Sequence, residues 1–350
     1  MLHALVTSDW HFDGLINHFP DDHAKMVGAE VRKVYEYAVK SGIKYVIVPG
    51  DISDSYKMTA ESCRELLSIW AHYDGLITTI YMKGNHDFGD NKMSSMDLFE
   101  SFAEFSMLKT VKIVSSKTTM KLGGVLLNFC PFPFRSPDSQ SKPCINFIHA
   151  NVSGAVGDNG RPLKVREDVE LAEGSFTFGG HIHKHQYLKS RRVVLVGNLY
   201  QKNFGESGPK GFVEFRAKYK DGKLKVKWDY IESFPNFVLE TVIITKQKQF
   251  ADLKADKRVR YRLFIDKDVI VPKNLRKDIP NIDKIVETKD NRVVTDDVDS
   301  FRETISEIPK INPVEGLSAF LKQKGLSKDL RKQATKIVNK SLDKIFSQQV

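Results

Sequence analysis

Cysteine is scarce: Cys63, Cys130 and Cys144 are odd in number, widely spaced and without a CxxC pairing. This excludes a disulfide framework and a thiolate zinc site, and it fits a reducing compartment. Long apolar runs are missing as well, since no segment approaches the roughly 20 apolar residues that a membrane span needs. Residues 1–7 have neither a basic start nor an apolar stretch of signal-peptide length. A soluble, cytoplasmic protein with no membrane attachment is expected. There is no internal repeat and no low-complexity tract, which removes repeat architectures. Acidic residues fall short of basic ones, 44 against 54, for a net charge of +10. Much of the excess sits at 316–350, with eight cations (Lys322, Lys324, Lys328, Arg331, Lys332, Lys336, Lys340 and Lys344) against Asp329 and Asp343. Such an excess favours a polyanionic partner such as nucleic acid, although a merely soluble basic surface would carry the same charge.

A chain of 350 residues is long for one core, so two domains or a domain with appendages are expected. Short β-branched and aromatic runs at 2–7, 44–48, 77–82, 145–148, 175–178 and 193–196 read as strands, several of them apolar throughout. Val27, Val31, Val34, Tyr35 and Ala38 lie on one face of a helix that Gly42 ends, and a second helix carries Leu66, Leu67, Ile69, Trp70 and Tyr73. Strand and helix alternate, which implies right-handed crossovers and a largely parallel sheet. Later strands, including a hairpin of 212–215 and 224–231 about Asp221-Gly222, are expected to be antiparallel. The composition changes after Phe234-Pro235-Asn236. A smaller mixed unit follows, with strands at 242–245, 261–265 and 284–287. Asn312-Pro313 precedes a tail in which Leu330, Ala334, Ile337, Val338, Leu342, Ile345 and Phe346 follow helical spacing.

Against this background stand five motifs, each at the end of an apolar run: Asp9-Trp10-His11, Gly50-Asp51-Ile52-Ser53-Asp54, Gly84-Asn85-His86-Asp87, His149-Ala150-Asn151 and Gly180-His181-Ile182-His183. Loops leaving the carboxyl ends of strands line the crevice of an open α/β sheet, so these distant residues can converge. Any one motif alone is weak. Jointly they hold five of the ten histidines, while His3, His18, His23, His72 and His185 are read as structural. Carboxylate, imidazole and amide ligands suit a pair of divalent ions, manganese first and magnesium second, rather than thiolate zinc. Asp51 is the natural bridging carboxylate. Asp9, His11 and one histidine of the Gly180 motif would hold one ion; Asn85, His149 and the other histidine, of the pair His181 and His183, would hold the second. His86 and Asp87 are the candidate catalytic residues, His86 held by that carboxylate to protonate the leaving oxygen or stabilise charge in the transition state, and Asp54 would orient a ligand from behind.

The series DxH, GDxxD, GNHD, H and GHxH resembles the calcineurin-like metallophosphoesterase superfamily over roughly 1–235. The opening Ser8-Asp9-Trp10-His11, together with Gly197-Asn198, Phe204-Gly205-Glu206 and Lys210-Gly211, resembles the SbcD-type DNA-repair nuclease subunits of bacteria and phages. The resemblance implies an α/β sandwich of two mixed β-sheets flanked by helices (1–236), a small α+β capping domain (237–311) and a C-terminal helical tail (312–350). It also implies a manganese-dependent DNA endo/exonuclease that works as a homodimer. The tail would dock on the coiled coil of an SbcC-like ABC-type ATPase. Two departures from the family pattern stand out, the insertion of Phe12-Asp13-Gly14 with an extended loop to Asp22, and Ile148 in place of a small residue. The competing readings are a phosphodiesterase or phosphatase acting on a small nucleotide or phosphoprotein, and a non-catalytic scaffold on the same fold.

Overall fold

The computed structural model describes residues 1–89, 93–104, 108–134, 136–138, 142–165, 167–206 and 208–288. The helical tail expected over 312–350 and the end of the expected capping domain lie outside the described residues. In chain order the elements are β1 (Leu2–Val6), α1 (His23–Lys40), β2 (Tyr45–Pro49), α2 (Ala60–Tyr73), β3 (Thr78–Met82), α3 (Ser95–Glu104), β4 (Val111–Val114), β5 (Thr118–Leu122), β6 (Val125–Cys130), β7 (Ile145–His149), β8 (Phe176–Gly180), β9 (Gln186–Leu188) and β10 (Val193–Leu195). Then follow the hairpin β11 (Gly211–Lys220) and β12 (Lys223–Glu232), then β13 (Val238–Ile244), β14 (Val259–Asp266), α4 (Leu275–Asp278) and β15 (Ile282–Thr288).

Two six-stranded sheets, β12-β11-β1-β2-β3-β4 and β5-β6-β7-β8-β10-β9, form the body. Each is mixed: β1 to β4 run parallel with β11 and β12 antiparallel beside them, and β6, β7, β8 and β10 run parallel between antiparallel β5 and β9. The α/β fold of two mixed sheets flanked by helices is the one expected. Strands apolar on both faces are explained by two cores. One, with Ile47, Ile80, Phe147, Phe178 and Phe215, fills the space between the sheets. The other packs Leu5, Val46 and Val48 under Val27, Val31, Val34 and Ala38 of α1 and Leu66, Ile69 and Trp70 of α2. Thr59 caps α2, its hydroxyl accepting from the Ser62 N–H at 3.2 Å.

The inserted loop after the first motif is built into this frame. Asp13 is buried and accepts from the Thr59 N–H and hydroxyl and from the Ser62 hydroxyl at 2.9, 2.8 and 2.6 Å. Further along, His18 lies 2.6 Å from Asp283, and the Arg260 guanidinium stands 4.8 Å over the Phe19 ring. The loop thus packs on the third sheet, β13-β14-β15, which has its own core of Ile244, Leu263, Ile265 and Ile282. All three of its strands are parallel, a pairing the sequence did not announce.

Candidate metal centre

Parallel pairing of β1 with β2 does not stop where the strands end. Past the strands, backbone bonds continue from Asp9 N–H to the Gly50 carbonyl (3.1 Å), His11 N–H to Asp51 (3.1 Å) and Phe12 N–H to Ile52 (2.9 Å). The first two motif loops are therefore laid side by side. Alternation does the rest: Trp10 and Ile52 enter the helix-side core while Asp9, His11 and Asp51 stay with the site. Ile182 similarly packs into the core between His181 and His183. The Tyr200 hydroxyl fixes the first loop from behind, donating to the carbonyls of Trp10 and His11 at 2.6 and 2.8 Å.

The seven expected ligands come together. His11 Nε2 lies 3.0 Å from His183 Nε2, with Asp9 in the same cluster. Asn85 Oδ1 lies 2.9 Å from both His149 Nε2 and His181 Nδ1. Asp51 stands between the halves, with Oδ2 3.1 Å from His149 Nε2 and 3.8 Å from His11 Nε2. The choice left open by the sequence is thereby made: His183 joins Asp9 and His11, and His181 joins Asn85 and His149.

The donor set calls for cations. His183 Nδ1 is 2.9 Å from Glu206 Oε1, and His11 Nδ1 is 3.2 Å from Asp54 Oδ1. The His183 Nδ1 proton is thus committed to the Glu206 carboxylate, which turns its Nε2 towards His11 Nε2. His149 Nδ1 donates to the Pro49 carbonyl at 2.9 Å, which turns its Nε2 towards the oxygens of Asn85 and Asp51. Burial disfavours a charged His149, yet Asp51 and Asp9 overcome it and push the imidazole up to about 9, so Nε2 holds a proton there whose place a metal cation would take. Burial lowers His11 and His181 to about 4, leaving neutral imidazoles suited to metal. Asp9, raised by burial to about 6, is steadied by the His181 N–H, which donates to its oxygens at 2.9 and 3.1 Å.

The tight packing leaves no room for a side chain at the motif glycines. Gly50 has φ of +101°, and a Cβ there would lie 2.1 Å from His149 Nδ1; at Gly84 it would lie 2.2 Å from Asp51 Oδ1. Gly84→Ala is expected to displace the Asp51 carboxylate and remove activity while the two sheets still form, which activity and circular dichroism measured side by side would show.

His86 and Asp87 part company in space. The His86 imidazole is held not by Asp87 but by the Asp54 carbonyl, 2.7 Å from its Nδ1. Asp87 is fully buried and accepts from the N–H groups of Asp51 (2.8 Å), Gly84 (2.8 Å) and Ser53 (2.9 Å) and from the Ser53 hydroxyl (2.7 Å). Its carboxylate sews two motif loops together, and no oxygen is left for the imidazole. His86 Nε2 remains the ring nitrogen that could serve a leaving oxygen, and the His86 backbone N–H donates to Asp51 Oδ1 at 2.9 Å.

Two residues, Lys202 and Glu206, contribute roles that the sequence did not assign. Asp54 lies where expected behind His11 but also pairs with Lys202. Lys202 Nζ is itself 3.4 Å from His11 Nδ1. Glu206, besides His183, accepts from Asn203, Asn198 and Lys210 at 3.0, 2.9 and 2.7 Å. Burial works against its charge, but His183 and Lys210 hold it ionised, well below the usual carboxylate range. The signal was present in the sequence as Asn198, Glu206 and Lys210, which carried the resemblance without a role. Partners that orient ligand histidines are typically worth about 10- to 100-fold in metal affinity. Glu206→Gln is accordingly expected to weaken metal binding by about that factor in a calorimetric titration. The remaining histidines are structural: His3 bonds Glu214 at 2.8 Å, His23 bonds Asp13 at 3.2 Å, and His185 stacks on Tyr230 at 3.9 Å between ring centroids.

A family model described as calcineurin-like phosphoesterase matches residues 2–185. The chain belongs to the calcineurin-like phosphoesterase family. With membership comes metal-dependent phosphoester hydrolysis, and the candidate metal-binding groups Asp9-His11-His183 and Asp51-His149-His181 lie within the matched residues. Among solved structures, this phosphoesterase is similar to a single mutant of Vps29 from Entamoeba histolytica, at 11% identity, covering 66% of this chain and 100% of that one, with a TM-score of 0.29. It is also similar to a protein of unknown function from Aquifex aeolicus, at 18% identity, covering 43% and 81%, with a TM-score of 0.24. No curated protein matches the phosphoesterase. No described helix is long and apolar enough to cross a membrane.

In such a site Asp9, His11 and His183 would hold one divalent ion and Asn85, His149 and His181 the other, with Asp51 shared. Bound ions would supply Lewis acidity for the phosphoryl oxygens and a readily ionised water. The chain itself would position the ester, and His86 Nε2 would face the departing oxygen.

Proposed function

We propose that this phosphoesterase is a manganese-dependent DNA nuclease that acts with an SbcC-like ABC-type ATPase on DNA ends. The observation that carries the reading is the cleft beside the second ion's ligands. It has a volume of about 620 Å³ and is lined by Asn85, His149 and His181 together with Phe132, Phe134, Asn151 and Lys164. Phe88 stands 5.6 Å from Phe132, ring to ring, and Phe88 and Phe134 are each 41% exposed. Exposed aromatic rings and a lysine beside phosphoester chemistry suit a substrate with bases to stack and phosphates to hold. The net charge of +10 points the same way. Homodimerisation and ATPase docking through 312–350 belong to the same proposal and follow from the resemblance.

The bounded volume of the cleft also favours a second reading, a phosphodiesterase for small nucleotides. Incubating the purified chain with linear duplex and single-stranded DNA, with manganese, magnesium or chelator, separates the two. Manganese-dependent cutting that chelator abolishes is expected. Cleavage of a small diester with DNA left intact, even with the ATPase present, would reverse the order of the readings.

A further inference from the structure

The hairpin of β11 and β12 carries a charge pattern that the metal centre does not use. Its register sets Arg216 opposite Lys227, Lys218 opposite Lys225 and Lys220 opposite Lys223, all six exposed. Val213, Phe215, Ala217 and Leu224 on the other face enter the core between the sheets, so the six cations share one face. Arg216 pairs with Glu214, which also takes His3 and Tyr37. Among the described residues none of the five lysines has an ion-pair partner. Asp229, opposite Glu214, and Asp221 at the turn are the exposed acids nearby in the hairpin.

Like charges directly opposed across a ladder repel, so this arrangement works against the hairpin unless something outside it gains. Lysines on an edge strand discourage edge-to-edge pairing, which accounts for Lys223, Lys225 and Lys227 on β12. It accounts as well for Lys218 and Lys220, which lie past the end of β1, but not for Arg216, where β11 is still paired on both sides, nor for cations set directly opposite one another on all three rungs. Pairing of β11 with β1 ends at Ala217 opposite Leu2, so Lys218, Lys220, Lys223 and Lys225 stand on a two-stranded ribbon that runs past the sheet.

We infer that this face binds the phosphate backbone of duplex nucleic acid, at the end of the sheet opposite the metal centre; the inference rests on the reading of the chain as a DNA-processing enzyme. Alternate residues on a strand are about 7 Å apart, so three rungs cover about 14 Å. Duplex DNA carries one charge per about 1.7 Å of axis, or about eight over that length. Five unpaired lysines and Arg216 on a narrow ribbon approach that density, and a ribbon of two strands has the width that a major groove admits.

The test is fluorescence anisotropy of the full chain with a labelled duplex, in chelator so that nothing is cut, over a series of salt concentrations. The variant replaces Lys218, Lys220, Lys223 and Lys225 with glutamine and leaves the Arg216–Glu214 pair in place. At low salt its affinity is expected to fall at least about tenfold. The slope of log K against log salt should become shallower by about 3 to 4, near 0.9 per lost phosphate contact. Hydrolysis of a small phosphodiester should be unchanged, which also reports an intact fold. Unaltered affinity and slope in a variant that still hydrolyses the small ester would overturn the inference, as would a wild-type chain that binds anionic lipid vesicles but no duplex. A chain that binds duplex through the ladder yet never cuts it with manganese would sink the nuclease reading alone.

Discussion

Replacing Asp51 by alanine is expected to lower phosphoester hydrolysis by about 10³-fold or more with the fold retained. Asp51 is the residue within reach of both halves of the site, 3.1 Å from His149 and 3.8 Å from His11. Its loss removes the shared ligand and the charge that His149 answers. Two-metal stabilisation is worth several kcal/mol, and each 1.36 kcal/mol is tenfold in rate. The loss should appear in two measurements: turnover at saturating manganese, and metal stoichiometry, which should fall below two. Full stoichiometry with full activity would remove Asp51 from the shared position.

For His86→Ala the expected loss is about 10²- to 10⁴-fold in turnover, the usual range for a positioned proton donor, with metal binding unchanged. Because His86 acts on the leaving oxygen, an ester with a nitrophenol leaving group should be spared much of the loss. Asp87→Ala should behave differently. It would strand four donors that now converge on one buried carboxylate, at about 1–3 kcal/mol for the first of them alone. A lowered melting temperature should accompany its lost activity. Equal melting temperatures for the two variants would argue against this division of labour.

The contrast between His86 and Asp87 also marks what the sequence could tell. The seven candidate ligands were legible because each stands at or just past the end of a largely buried strand, and the carboxyl ends of parallel strands meet on one side of the sheet. Neighbourhood in sequence then misled: Asp87 turns inward to the backbone of Asp51 and Ser53, and the partner of His86 comes from Asp54. The Gly180 motif set one histidine on each ion but not which half each serves, since that depends on a turn with His181 at φ +81°. The part played by Glu206 was hidden because it bonds His183 from a distant loop. The helices α1 and α2 were readable from their apolar faces. The strands at 111–114, 118–122 and 125–130 were not, although β5 and β6 are neighbours in sequence as well as in the sheet; β4 by contrast pairs with β3 across α3. The parallel third sheet escaped because its strands pair across intervening segments rather than through tight turns.

Four of the seven ligands, Asp9, His11, Asp51 and His181, stand at positive φ of 54°, 43°, 53° and 81°. Side chains in that region cost about 1–3 kcal/mol each and persist where the surroundings over-determine them. The chain therefore carries its catalytic geometry as a standing conformational debt concentrated in three loops. Ions that bind only the folded form offset it by mass action, so thermal stability should climb with manganese concentration and drop on chelation. Glycine at one of these four positions would relax the backbone while weakening the grip on metal, making the centre the region where the enzyme trades ruggedness for reactivity.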